Sequence, residues 1–317
     1  MLKFGAVTID VSHPSAFADK LLEGERARYT AVFNDGFRSE EEVLAFSEKY
    51  GAKIYKDLDE MIDNVDLGLV HCCNWDKHLD YIMHFVRKGK PVFVDKPIVG
   101  NLKDVKKLLE LSKEGARILG TSALRYTYEI DEIKEKLKAE GASPIFVSTT
   151  VGLDEFNYAV HGVEHIAGIV DSRPISCRYV GSFQVETDAK GESYYINYES
   201  GASAMFSIIT SKPQRFHTTV ITNKGSAGDY CYTVDNYKFY QAMLDRVCDE
   251  MEGKTGRLAT IEEMVCPILI LLAGKASREA GGIEVALDSP LLENVSFDGY
   301  EFERGYSEAA RKAAAKK

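Results

Sequence analysis

The first third of the chain alternates short apolar runs with amphipathic stretches, and that alternation admits few folds. Leu2 to Ile9, Tyr29 to Phe33, Ala52 to Tyr55, Val65 to Cys72, Pro91 to Val94 and Ile118-Leu119 read as strands. Helical spacing fills the gaps, from Pro14 to Leu22, from Ser39, after Asp57, from Lys77 to Val86 and from Asn101. Ser39 and Glu42 stand three apart, so each side chain can reach the other's backbone N–H and start a helix. Val43, Phe46 and Tyr50 then share one face, and Gly51 is suited to end it. Strand–helix units of this length predict an α/β fold built on a doubly wound parallel sheet. Such sheets take ligands beyond the carboxyl ends of their strands. The segments to examine are therefore Asp10 to His13, Asn34-Asp35, Cys72 to His78 and Asp95 to Pro97.

Past about residue 121 the pattern changes. Helical Tyr128 to Ala139 and Val160 to Val170 flank a strand, Ile145 to Val151. Strand-like runs then follow one another at Cys177–Val185, Ser193–Tyr198, Ala202–Ile209 and Phe216–Thr222, with a hairpin turn at Glu199-Ser200-Gly201. Consecutive strands of this kind predict an open, mostly antiparallel sheet. The expected division is a dinucleotide-binding domain over 1–121 and an α+β substrate and oligomerisation domain over 122–317. Thr260 and Glu263 open one more apolar helix, and the Ala/Lys-rich tail from Glu308 reads as a frayed helix or solvated end.

Composition removes several function classes. With 45% hydrophobic residues among 317, the chain can bury the cores of two domains and is not disordered. Its formal charge of −10, with no basic stripe, argues against nucleic acid. The longest apolar run, Met264 to Ala273, is too short to span a bilayer and contains Pro267, so no membrane partner is expected. Met1 to Asp10 lacks a signal peptide's apolar stretch, and the six cysteines form no CxxC pair. A cytoplasmic protein with reduced thiols is expected.

A set of motifs stands in a telling order. After a strand come Asn74-Trp75-Asp76-Lys77-His78, then Gly89 through Val94 and Asp95-Lys96-Pro97, then Arg125. His161-Gly162-Val163-Glu164-His165, Gly253-Lys254, Thr260 to Glu263, Ala276-Ser277 and Val285 follow. Order and spacing resemble the Gfo/Idh/MocA family, the glucose–fructose oxidoreductase and inositol dehydrogenase group. Its Glu-Lys-Pro hallmark stands here as Asp95-Lys96-Pro97, and its Asp-x-x-x-His as His161 to His165. The resemblance implies a Rossmann domain, an open-faced sheet domain and a homodimer or homotetramer formed through that sheet. It also implies NAD(P)-dependent hydride transfer at a hydroxyl-bearing carbon of a sugar, cyclitol or similar small polar substrate. Lys96 and His165 would be catalytic, with Arg125 and His161 completing the substrate pocket. Asp10, Ser12, His13, Asn34, Asp35, Cys72, Asn74, His78, Asp95 and Lys96 would face the cofactor.

Those residue types suit the chemistry. Removing hydride from an alcohol carbon also requires removal of the hydroxyl proton, and a histidine titrates near neutral pH. A lysine ammonium stabilises charge developing on the oxygen. Pro97 restricts the Lys96 backbone to extended geometry, which helps aim it. The plain structural alternatives are a solvated lysine, two partly buried histidines, a helix cap at Ser12, a helix-start residue at His78 and an ordinary turn at Asn34-Asp35-Gly36.

One departure stands out. The glycines of a dinucleotide turn fall in register at Thr8, Asp10 and His13, and none is glycine. Asp10 would place a carboxylate against a diphosphate. Either Ser12 and the amides at the helix start hold the phosphates, or the chain is a redox-silent relative that binds a sugar or a partner. Asp35, where an acid grips the adenosine ribose, favours NAD, while nearby Arg38 leaves NADP open. Residues 161–165 also spell H-x-x-E-H, a zinc-hydrolase signature. The strand–helix context argues against zinc, and no metal is expected. NAD-assisted glycoside cleavage, also found within the broad family, stays open.

Overall fold

A computed structural model describes all residues except 188, 226, 233–237 and 315–317. The N-terminal half alternates β1 (Leu2–Val7), α1 (His13–Gly24), β2 (Ala27–Phe33), α2 (Glu40–Tyr50), β3 (Lys53–Tyr55), α3 (Leu58–Asp63), β4 (Leu67–Val70), α4 (His78–Arg87), β5 (Val92–Val94), α5 (Leu102–Lys113) and β6 (Ile118–Gly120). The six strands form one sheet in the order β3-β2-β1-β4-β5-β6, every pair parallel. Helices cover both faces, so the strands are apolar throughout: Phe4, Val7, Leu67, Leu69, Val92, Phe93 and Val94 are fully buried. Between β1 and β4 the chain reverses its direction of winding. The connections diverge there and open a crevice at the strand ends.

The second half contains α6 (Tyr128–Glu140), β7 (Pro144–Leu153), α7 (Ala159–Ile169), β8 (Pro174–Glu186), β9 (Ala189–Tyr198), β10 (Ser203–Thr210), β11 (Phe216–Thr222) and β12 (Ala227–Tyr232). It continues with α8 (Lys238–Met251), α9 (Ile261–Glu279), β13 (Val285–Ala286) and α10 (Gly299–Ala314). Its sheet runs β12-β11-β7-β10-β9-β8-β13. Only β7 and β10 pair in parallel, so the expected mostly antiparallel sheet is present. The turn at Gly201 uses a left-handed φ of 84°, open to glycine at little cost. Both anticipated capping boxes, Ser39/Glu42 and Thr260/Glu263, are formed. Among the described residues, no helix is long and apolar enough to cross a membrane.

Helices α8, α9 and α10 return to the first part of the chain, α8 packing on α1. Helix α9 is apolar around most of its circumference and packs on β8, α5 and α7. Helix α10 comes back over the strand ends, where Trp75 receives it. The Trp75 indole N–H donates to the Phe297 carbonyl at 2.7 Å. Its ring lies 5.0 Å from Phe302 and 4.9 Å from Phe156, which itself stacks on Phe297 at 4.0 Å. Trp75→Ala removes this whole anchor. It is expected to cost about 3–5 kcal/mol in urea unfolding. A loss below about 1 kcal/mol would show that α10 is held elsewhere.

Candidate active site

The β1 strand ends at Val7, and Thr8 follows with φ 59°. The first position of the turn thus keeps the left-handed backbone that glycine would favour, now with a β-branched side chain. Asp10 is fully buried. Its Oδ1 accepts from the Phe37 N–H at 3.2 Å, its Oδ2 from the Cys73 N–H at 3.4 Å, and its carbonyl from the Arg38 guanidinium at 2.8 and 3.0 Å. A Cβ on Gly36 would fall 2.0 Å from Asp10 Oδ1, so this contact itself requires the glycine. Burial raises the Asp10 pKa, although the two amides oppose it, and the nearby Glu303 carboxylate raises it further.

Most of the residues expected to face a dinucleotide are occupied within the protein. Asn34 Oδ1 accepts from the Ile9 N–H at 3.1 Å, and Asp35 accepts from the Tyr81 hydroxyl at 2.5 Å. Asn74 caps Asp76 and donates to Glu303 at 2.9 Å. The His78 ring is buried between the Cys72 and Ile98 carbonyls, at 2.8 and 3.0 Å. Ser12 starts α1 without a side-chain capping bond, and Pro14 in the first turn has no N–H to offer. Burial pushes the Cys72 thiol far up, so it is an unreactive packed group.

Helix α10 closes the same place. Glu303 accepts from Lys77 at 3.0 Å, and Tyr306 meets the Phe37 ring at 6.1 Å. Donor atoms of Asp10, Cys73 and Glu303 lie within 4.8 Å of one another. That grouping does not offer a ready metal site, because Glu303 is bonded to Lys77 and Asn74, and burial keeps the Cys73 thiol protonated. Two carboxylates and a helix therefore stand where a diphosphate would need amides and open backbone. The residues present do not fit an ADP moiety in that berth.

Beside it is a cleft of about 330 Å³ between the ends of β1, β4 and β5 and the second sheet. Lys96 enters it half-buried, its ammonium donating to the Asn157 carbonyl at 2.9 Å and to Asn157 Oδ1 at 2.8 Å, 5.4 Å from the Tyr158 ring centre. Burial lowers the Lys96 pKa, while Asp95 and Asp154 act the other way. His161 lines the same cleft, with Nδ1 2.7 Å from the Ser122 hydroxyl. Burial and the neighbouring Lys96 and His13 keep its pKa well below the ordinary value, so the imidazole is neutral. Aromatic walls come from Tyr158, Phe216, Tyr240 and Phe302.

Two expected substrate residues lie elsewhere. His165 sits one helical turn beyond His161, and α7 carries it out of the cleft into the core. There Nδ1 lies 2.9 Å from the Leu124 carbonyl, and burial pushes the pKa down to about 4. Its expected role as proton carrier at the substrate is not supported by this position. Arg125 is also redirected. It pairs with Glu164, which Thr121 also bonds, donates to the Glu263 carbonyl at 3.2 Å, and borders a separate cavity of about 650 Å³. With Glu164 turned toward Arg125, the H-x-x-E-H residues do not converge on a metal. Tyr158, Asn157 and the α8 and α10 aromatics were not anticipated. The four-residue spacing of Phe302 and Tyr306 was their one visible signal.

The chain is an α/β protein with a six-stranded parallel sheet, a second, mostly antiparallel sheet and the Lys96 cleft at the strand ends between them. Residues 14–122 match the Gfo/Idh/MocA family model, described as "Oxidoreductase family, NAD-binding Rossmann fold". Over 102 residues the chain is 34% identical to myo-inositol 2-dehydrogenase of Thermotoga maritima, covering 31% of this chain and 29% of that protein. It is 24% identical over 109 residues to inositol 2-dehydrogenase of Paracoccus denitrificans, covering 34% and 32%. The chain thus spans about a third of the length of these curated relatives. Among solved structures, it resembles myo-inositol dehydrogenase from Lactobacillus casei in complex with NAD(H) and myo-inositol, with a TM-score of 0.74 at 15% identity over 92% of this chain and 99% of that one. A probable dehydrogenase from Thermotoga maritima gives 0.74 at 18% identity, over 90% and 99%. At such identities the likeness establishes the shared fold.

The Asp10 environment has a measurable consequence. A carboxyl whose pKa is raised on folding adds stability below its unfolded pKa of about 3.9, and that contribution is lost as pH rises through the folded value. Asp10→Asn keeps an acceptor for the Phe37 amide and removes the titration. The variant is expected to melt above the wild type at about pH 7, with the difference shrinking toward about pH 4. A variant that melts lower than wild type at neutral pH would contradict this reading.

Proposed function

We propose that this protein is a sugar- or cyclitol-directed oxidoreductase whose substrate lies in the Lys96–His161 cleft. The observation that carries this reading is the pairing of an ammonium and a neutral imidazole in a small aromatic-walled cleft at the carboxyl ends of a parallel sheet. Aromatic faces suit the C–H surfaces of a polyol, while Lys96, Asn157 and His161 suit its hydroxyls. Lys96 holds the oxygen of the reacting carbon and stabilises negative charge there. His161, in place of the expected His165, orients a hydroxyl.

The family match favours a nicotinamide dinucleotide as redox partner, and Asp35 would disfavour a ribose 2′-phosphate, hence NAD over NADP. The closed berth favours a second reading, a redox-silent polyol binder. The exposed apolar residues of the second sheet, among them Ile145, Ile175, Val180 and Phe183, support association into a homodimer or homotetramer. The free cysteines fit a reducing, cytoplasmic setting.

Calorimetric titration with myo-inositol and D-glucose tests the site. Wild type is expected to bind at least one of them, and Lys96→Met to weaken that binding about tenfold or more, an ammonium bond being worth about 1.5–3 kcal/mol. Equal affinity in both proteins would remove Lys96 from the site. NADH titration separates the two readings. The Asp10→Gly/Glu303→Gln double variant is expected to bind NADH more tightly than wild type. Tight binding by wild type would remove the redox-silent reading.

A further inference from the structure

His13 stands in register with the last glycine of a dinucleotide turn, and Asp95 with the glutamate of the hallmark motif. In the structure these two departures meet. His13 Nδ1 lies 2.6 Å from Asp95 Oδ2. Asp95 is only 3% exposed, and its Oδ1 accepts from the Lys96 N–H at 2.8 Å, so the carboxylate is fixed. Burial opposes its ionisation, but His13 and His71 outweigh this and hold its pKa well below the ordinary range. Oδ2 also lies 3.1 Å from His71 Nδ1, and His71 Nε2 lies 2.7 Å from the Tyr29 hydroxyl. The carboxylate therefore has a buried support of its own.

The His13 ring is equally constrained. It stacks on Phe17 at 5.5 Å with 6° between the planes, and meets Tyr240 edge-on at 5.6 Å. It borders the same cleft as Lys96 and His161. A carboxylate on Nδ1 keeps the imidazole proton on that nitrogen and leaves Nε2 as an acceptor, the arrangement that lets a histidine take a proton and be stabilised as imidazolium. Among the described residues His161 has no carboxylate partner, its Nδ1 facing the Ser122 hydroxyl. His165 is outside the cleft.

We propose that His13, held by Asp95, is the acid–base residue of this cleft, taking up the hydroxyl proton of a bound polyol at Nε2. The proposal rests on the reading that a polyol occupies the cleft. The hydroxyl O–H bond breaks as Nε2–H forms, and the electron pair stays on oxygen beside the Lys96 ammonium. Asp95 balances the imidazolium, and the reverse transfer returns the proton. The turn that no longer carries a diphosphate glycine has in this way become part of the substrate site.

The groups around His13 are Asp95 after β5, His71 after β4, Lys96, Tyr158, His161 on α7, Tyr240 on α8 and Tyr306 on α10. Burial keeps His71 neutral, and His161 is neutral as well. His13 is thus the histidine of the cleft that faces a carboxylate. Protonation at Nε2 removes an acceptor, so polyol affinity falls as pH falls.

The test is calorimetric titration of the full chain with myo-inositol and D-glucose between about pH 7.5 and about pH 5.5, where imidazoles in general gain a proton, with thermal melts as the folding control. Wild-type affinity is expected to fall about tenfold toward the acid end. His13→Gln keeps an acceptor oxygen but takes no proton. It is expected to bind about tenfold more weakly at the alkaline end, with no dependence on pH. A His13→Gln protein that retains the wild-type pH dependence overturns the proposal, as does wild-type binding that is flat across the interval. A wild type that binds neither probe overturns the polyol reading itself, and the role of His13 with it.

Discussion

A buried carboxylate at the tip of β5 organises this site. Asp95 accepts from the Lys96 amide and pairs with His13 and His71, so residues from three strand ends share one charge. A buried ion of this kind is tolerated only when its lone pairs are met. Here they are met by groups that either enter the cleft or support one that does. Removing the carboxylate would leave two histidines without their partner and free the backbone that aims Lys96. The geometry of the cleft therefore depends on a group with almost no exposure of its own.

Helix α10 changes what the rest of the sheet can do. The crevice between β1 and β4 is the usual ligand position in a doubly wound sheet. In this chain Asp10 turns into it from below and Glu303 approaches from above, with Phe302 and Tyr306 laid over Trp75 and Phe37. Placing two carboxylates together is costly, and it is compensated by Lys77, by the Phe37 and Cys73 amides and by the upward shift at Asp10. The cleft around Lys96 remains beside this closed region. The Lys96 cleft and the closed crevice between β1 and β4 are thus distinct places in this protein.

Much of the architecture was legible from local pattern. The parallel sheet followed from strand–helix alternation, and both capping boxes from a three-residue spacing, because these are properties of neighbouring residues. The position of Lys96 at a strand end was legible for the same reason. The exchange of His165 for His161 was not. The two share a helix face, and only the path of α7 into the core decides which one reaches the cleft. Arg125 shows a similar limit, since its partner Glu164 was visible as a residue but not as a neighbour. Sequence also marked Asp10 and His13 as lost glycines. It could not show that Asp10 would be buried under α10, or that His13 would meet Asp95, because both contacts join segments far apart in the chain.

The most direct test is a crystal structure of the protein soaked with myo-inositol and NAD together. The account predicts a polyol with one hydroxyl oxygen within hydrogen-bonding distance of both Lys96 Nζ and His13 Nε2. A polyol bound only in the cavity beside Arg125, or one in the cleft out of reach of Lys96 and His13, would contradict it.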